Sequence, residues 1–443
     1  MFTLLPFVLA ASAPAHATEL VWEGFYRARG ELFNSLSLSN SNSLAEGTSN
    51  DITDRFSLRP SWLISDHVAL HGQLDLFPYT LWGKTTADTT DPVTGAQTAR
   101  ADSDGVGTES DSILAVRAWG EAITPYGRFA MGRMPMEWGS GILWNAGNTP
   151  DSQHSDTANR VQWTDTFSQV FVLAAWDQQY EGFLNAPDDM QSLSFAVGYR
   201  SETAGFGLLN NYKYQPAMAW NAYTGDVWGF AKIGPLHTEL EAVGKFGGGN
   251  LETGANDITE MELGGMINAG LDNEKFGGEA ELGAASGDAD PTDKKIHTFT
   301  FDPNHDVGLM LFEKPLPSLA SKVPNDTNAG QDYGAVLTGN GISNAIYFHP
   351  SFHYNLMPNL QAKVSWVTAT LAKGASPDTD NRHGYGNEFD LSLRYDPYPH
   401  VWFRGTAGVM LPGKFYSKYT DKTLGGGFDQ PAVGGQLVGT VEF

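Results

Sequence analysis

The residues best suited to chemistry in this chain are scattered histidines and carboxylates, and they do not assemble into a reactive set. His349 and His353 lie four positions apart. On a strand they share a face but stand about 13 Å apart, too far to hold one metal ion, and a place on an interior wall suits them better. His305 and Asp306 adjoin with no serine that the sequence pairs with them. No G-x-S-x-G, H-E-x-x-H, P-loop or dinucleotide fingerprint occurs. Asp102-Ser103-Asp104-Gly105, followed by Asp111, is like half of a calcium loop. Arg100 stands at the first ligand position and the closing bidentate Glu is missing, so the stretch reads as a solvated acidic loop. The chain has no cysteine, which removes disulfides, thiolate metal sites, Cys nucleophiles and covalent c-type haem. Neither an enzyme, a metal nor a cofactor is expected.

Charge in rows is the stronger signal. Arg27, Arg29, Arg55, Arg59, Arg117, Arg128, Arg394 and Arg404 fall toward the two ends of the chain, whereas Glu239, Glu241, Glu262, Glu279 and Glu281 fall in its middle. If the two ends meet, as in a closed barrel, arginines occupy one wall of an enclosed interior and glutamates the other. These residues are then pore-lining, and the transverse field orients dipolar or charged solutes. The alternative is local pairing across strands, which only stiffens the wall; Glu23, Glu31, Glu121 and Asp390 lie among the arginines.

Strands must position these rows. Asp54–Ser65 alternates Phe56, Leu58, Pro60, Trp62 and Ile64 with Arg55, Ser57, Arg59 and Ser61. Leu236, Leu240 and Phe246 oppose His237, Glu239, Glu241 and Lys245, and Leu437, Gly439, Val441 and Phe443 oppose Gln436, Val438, Thr440 and Glu442. Such period-2 segments cover 19–35, 52–65, 67–80, 112–124, 126–135, 158–165, 168–177, 191–201, 204–214, 220–233, 235–247, 258–271, 274–286, 342–355, 358–372, 387–396, 399–411 and 433–443. That predicts about 18 strands, within a range of roughly 16–18. Their connections alternate between very short and long, the long ones including 81–111, 136–157 and 287–341. Short turns on one side and long loops on the other are the asymmetry of bacterial outer-membrane barrels. Segment 287–341 carries Phe299, Phe301, Leu309, Leu311 and Phe312, which need burial, so it either folds into the lumen or caps the mouth. The Gly-, Asn- and Trp-rich stretch 138–159 is a second candidate for an inward loop.

The 443-residue composition agrees: 41% hydrophobic, 12% aromatic, only 18% charged, with 50 glycines and a mean hydropathy of −0.29. The net charge of −24 excludes nucleic acid as a partner, since phosphate binding needs a basic surface. Leu4–Ala11 followed by Ala15-His16-Ala17 reads as a signal peptide over 1–17, although no basic residue precedes the apolar run. No stretch reaches the roughly 20 apolar residues of a spanning helix, so a membrane can be crossed only by a closed barrel. Terminal Phe443 and outward Trp22, Tyr26, Trp62, Phe348, Phe352, Tyr354, Trp366, Tyr395 and Phe403 suit an aromatic girdle. The expectation is one all-β domain over 18–443, a transmembrane antiparallel up-and-down barrel in a Gram-negative outer membrane.

Three stretches resemble the alginate-export family of outer-membrane porins. They are Gly132-Arg133-Met134-Pro135-Met136-Glu137-Trp138-Gly139-Ser140-Gly141, Ser286-Gly287-Asp288 through Thr298-Phe299, and Asn387-Glu388-Phe389-Asp390 through Pro412-Gly413-Lys414-Phe415. The resemblance implies a barrel of about 18 strands with an arginine-lined constriction, to which Arg133, Arg394 and Arg404 would belong. The expected function is a porin-like channel passing small hydrophilic solutes or exporting saccharide. Its partners are outer-membrane lipid and the solute, and a homo-oligomer is compatible with this reading. The alternative is a barrel sheath around a periplasmic partner such as an electron-transfer protein.

Overall fold

Alternation of apolar and polar side chains gives every strand one face for lipid and one for an enclosed interior, and a computed structural model closes such strands on themselves. It describes residues 18–36, 38, 48–81, 113–180, 189–216, 219–250, 257–289, 293–314, 316, 341–374, 383–417 and 429–443. The expected signal peptide (1–17), the calcium-like stretch 102–111 and most of 81–111 lie outside the described residues, as do parts of 287–341.

The strands run β1 (Glu19–Asn34), β2 (Thr48–Ser65), β3 (Val68–Leu81), β4 (Ile113–Thr124), β5 (Gly127–Pro135) and β6 (Thr157–Phe167). They continue with β7 (Val170–Tyr180), β8 (Met190–Arg200), β9 (Ala204–Gln215), β10 (Trp220–Ile233), β11 (Leu236–Asn250), β12 (Asp257–Asp272) and β13 (Phe276–Ala285). A two-residue β14 (Lys295–Ile296) precedes β15 (Ala345–Met357), β16 (Leu360–Leu371), β17 (Gly384–Tyr398), β18 (Val401–Pro412) and β19 (Ala432–Glu442). Each long strand pairs antiparallel with its sequence neighbour, and β1 closes on β19 from Phe25↔Glu442 to Asn34↔Val433. The result is a closed barrel of 18 strands. β14 is the exception: it lies parallel to the start of β12, beyond the point where β13 ends.

Closure ends on the last residue. The Phe443 and Gly24 backbones exchange hydrogen bonds of 3.0 Å in both directions, and the Phe443 ring packs edge-on against Phe56. The outer face is an exposed apolar belt: Trp22, Trp62, Phe352 and Phe403 are each about half exposed, and Leu437 is 71% exposed. In water such a surface would aggregate, whereas hydrocarbon satisfies it. At one barrel end the turns are two or three residues long, as at Gly234-Pro235, where Gly234 takes a φ of 62°. Every long connection leaves from the other end. Two strands start earlier than the periodicity predicts, Thr48 instead of 52 and Gly384 instead of 387, because the paired strands extend beyond the bilayer-facing apolar residues that give the signal. β15 starts later, at Ala345, because Ile342–Asn344 turn inward into the buried core.

Candidate functional site

The site is the barrel interior, where the arginine row is met by the chain's own backbone. Residues 136–156, between β5 and β6, fold inside. Arg27 Nη1 donates to the carbonyls of Pro150 (2.9 Å) and Ser152 (3.3 Å), and Arg55 Nη1 donates to Ser152 O (2.7 Å). Arg59 and Arg117 donate to Asn148, and Arg117 also reaches Ala146 O. Arg29 donates to Asp151 O (3.0 Å), while Arg404 grips the Asp151 carboxylate with two nitrogens at 2.6 and 3.0 Å. Guanidinium forks suit convergent carbonyl and carboxylate oxygens, so the arginine wall acts as a clamp. Burial raises the Asp151 carboxyl, but the charges of Arg404, Arg29 and Arg27 outweigh this and hold it below the usual carboxylate range.

The same loop is caught on the far side by acceptors. Trp138 Nε1 donates to Asp226 Oδ1 on β10 (2.8 Å), and the Ser140 N–H donates to Glu241 Oε2 on β11 (2.5 Å). The loop thus spans from β1, β2, β4 and β18 to strands about half the circumference away. Its carbonyls face the cationic wall and its N–H groups the acidic one. Gly147 enables the turn: its φ is 66°, and a Cβ there would strike the His154 carbonyl.

A second inward segment, 297–314 with Leu316, packs against the first. Phe299, Phe301, Leu311 and Phe312 are buried, and they join Ile142, Tyr347 and Tyr385 in one apolar core inside the barrel. Of the two alternatives for 287–341, residues 297–314 fold into the lumen, whereas β14 extends the sheet. Glu388 on β17 accepts from the Met310 and Leu311 N–H groups (2.7 and 2.6 Å). Lys314 Nζ meets Glu31 at 2.7 Å. His305, which the sequence left without a partner, sits 2.9 Å from Glu281 Oε1 and 3.1 Å from the Tyr347 hydroxyl. The two segments clasp each other. The Asn304 side chain accepts from the Gln153 and His154 N–H groups, and the Asp302 N–H donates to Ile142 O. Burial and then the neighbouring Asp156 charge push the Asp302 carboxyl up to about 8, and burial raises Asp156 as well.

The thirteen charged residues expected on the interior therefore have distinct surroundings. Arg27, Arg55, Arg59 and Arg117 clamp the first loop. Arg29, Arg394 and Arg404 line a chamber of about 370 Å³ beneath the two segments. Arg128 is an exposed rim residue, 3.4 Å from Glu121. Glu241 and Glu281 are anchors, Glu262 pairs with Lys245 (3.3 Å), and Glu239 and Glu279 line a cavity of about 560 Å³ at the short-turn end. Arg133, assigned to a constriction through the family resemblance, is exposed on the outward-facing phase of β5 beside Ala118 and Asn159, so that transfer fails. His349 and His353 face inward, as expected, and among the described residues no cluster of three or more ligands could hold a metal. The sequence reading missed Asp226, Trp138, Asp151 and the buried pair Arg160–Asp177. The two-residue turn at 168–169 would have placed Arg160 opposite Asp177.

No protein-family model matches the chain, and no curated protein matches it. Solved structures do. OccK9 (OpdG) of Pseudomonas aeruginosa is 11% identical, with a TM-score of 0.55 over 96% of this chain and 99% of that one. OccK2 (OpdF) of the same organism, in complex with glucuronate, is 10% identical, with a TM-score of 0.53 over 95% and 98%. A BenF-like porin from Pseudomonas fluorescens Pf-5 is 11% identical, with a TM-score of 0.51 over 95% and 98%. The fold is that of outer-membrane porins. The alginate-export resemblance gains no support from a family match.

Proposed function

We propose that this chain is a channel of the Gram-negative outer membrane, through which small hydrophilic solutes diffuse passively. One observation carries the reading: an apolar-belted closed barrel whose interior is narrowed by two of its own loops while a polar, charged chamber persists beside them. Lipid contact requires the belt, and a polar lumen has no use in a structural plug. The short-turn end faces the periplasm by analogy with barrels of this build. Arg29, Arg394 and Arg404, with Glu239 and Glu279 near the periplasmic mouth, line the path, and the remaining predicted charges hold its walls and loops. The sheath alternative loses its space, because the segments that cross the interior belong to this chain. Export of a polysaccharide is disfavoured by the same narrowing. Ion conductance of the refolded protein in a planar bilayer tests the proposal, and folded protein without current would refute it.

A further inference from the structure

The chamber beneath the two inward segments has a chemistry that the arginine count conceals, because its cations are already engaged. Arg404 is held by Asp151 at 2.6 Å, Arg394 by Asp396 at 2.9 Å, Lys363 by Glu279 at 3.2 Å and Lys314 by Glu31 at 2.7 Å. Arg29 donates to the Asp151 carbonyl. Asp306, Glu313 and Asp390 line it as well, and burial and then the Asp306 charge raise the Glu313 carboxyl. An incoming anion therefore meets carboxyl groups as well as engaged cations.

Between these pairs runs a neutral polar strip. Strand register sets Lys363 beside Ser392, Ser392 beside Thr406, Thr406 beside Gln436, and Gln436 beside Glu31. Ser392, Thr406 and Gln436 thus form a continuous hydroxyl and amide row across β17, β18 and β19, roughly 10 Å wide at the usual strand spacing. Ser365 and Gln361 extend it on β16, and Val307 and Leu309 of the second segment face it. The volume, about 370 Å³, is at the lower end of small-molecule sites, which run from about 300 to 1,000 Å³.

We propose that this chamber is a subsite for an uncharged, hydroxyl-rich solute of saccharide type, selected over the corresponding anion. The inference rests on the channel reading and specifies what the channel passes. Ser392 and Thr406 hydrogen-bond each other (2.8 Å) and Gln436 donates to Glu31 (2.7 Å). Each hydroxyl can still take a further partner, so a neutral polyol exchanges water hydrogen bonds for those of the row, with its C–H faces toward Val307 and Leu309. A carboxylate must instead compete with Asp151, Asp396, Glu279 or Glu31 for a cation, or share Arg29 with the Asp151 carbonyl, and it loses hydration as it does so.

The test is ligand-observed saturation-transfer NMR on the detergent-folded full chain with equimolar glucose and glucuronate, which differ by one carboxylate. The expected result is a glucose signal at least threefold above that of glucuronate, reduced at least threefold in Ser392→Val/Thr406→Val. Should that variant fail to fold, Ser365→Val reports on the same wall, with a smaller loss in the same direction. A larger glucuronate signal, no glucose signal, or wild-type signals in a folded variant would overturn the proposal. Binding is read here without conduction. An absence of current in a bilayer would therefore defeat the channel reading alone, and an absence of binding by a conducting protein would defeat this inference alone.

Discussion

Arg160 faces Asp177 across β6 and β7, with both side chains shielded and Ser192 donating to the same carboxylate. Arg160→Met would strand a buried charge and cost about 3–5 kcal/mol. Adding Asp177→Leu should recover most of that loss in urea unfolding. The pair was missed because the periodicity ends one strand at 165 and starts the next at 168, whereas the turn is 168–169 and sets a different register. Arg55–Asp75 was missed because the β2–β3 ladder slips between Asp54 and Phe56. At the loop clasp, the Asp302 carboxyl sits at about 8, against a usual 3.8. Its folded-state value is raised, so the clasp is tightest in acid, and its stability falls as pH rises from about 4 to about 8. Asn145, His154 and Asn304 surround the pair, and none supplies a lysine or arginine. Amide hydrogen exchange at 142–156 and 302–306, corrected for its intrinsic pH dependence, should therefore speed up across that window. In Asp302→Asn the pH dependence should flatten. An unchanged profile would mean that the two segments are held by their backbone and Asn304 contacts alone.

At the scale of elements, strands were readable and loops were not. Period-2 alternation reports which face meets lipid, a local property of each strand. The inward course of 136–156 depends on partners far away in sequence, 89 positions for Arg59 with Asn148, 125 for Arg27 with Ser152 and 253 for Arg404 with Asp151. Gly, Asn and Trp richness marked the stretch without giving its contacts. The apolar residues of 287–341 demanded burial, and the structure answers with a core inside the barrel. Glu388 is the peg of the second segment. Glu388→Ala removes two charge-assisted hydrogen bonds, worth about 1.5–3 kcal/mol each. It should loosen 309–314, raising single-channel conductance and its noise while leaving the β circular dichroism signal unchanged. Gly147→Ala should act on the first segment. The cost is of order 1–3 kcal/mol for the strained φ, plus the clash with His154, and it should be read as earlier proteolysis within 136–156.

At the scale of the whole molecule, closure explains why residues distant in sequence share a wall. β1 and β19 are neighbours, so Arg27, Arg29 and Arg404 meet around one loop, while Asp226 and Glu241 wait on the far side. Several interior charges pair locally, as at Arg55–Asp75, Lys245–Glu262 and Lys363–Glu279, and those that meet the first loop orient it: carbonyls toward arginine, N–H groups toward carboxylate. Solute identity was not legible, because it depends on which cations the loops leave engaged. The central claim is that the narrowed lumen still conducts. The direct measurement is single-channel current of the refolded protein in a planar bilayer under a salt gradient. The account predicts discrete steps with a reversal potential near zero, as expected of a path lined by both arginine and glutamate, and larger steps in Glu388→Ala. Protein that is folded β-structure yet carries no current, in both the wild type and that variant, would contradict it.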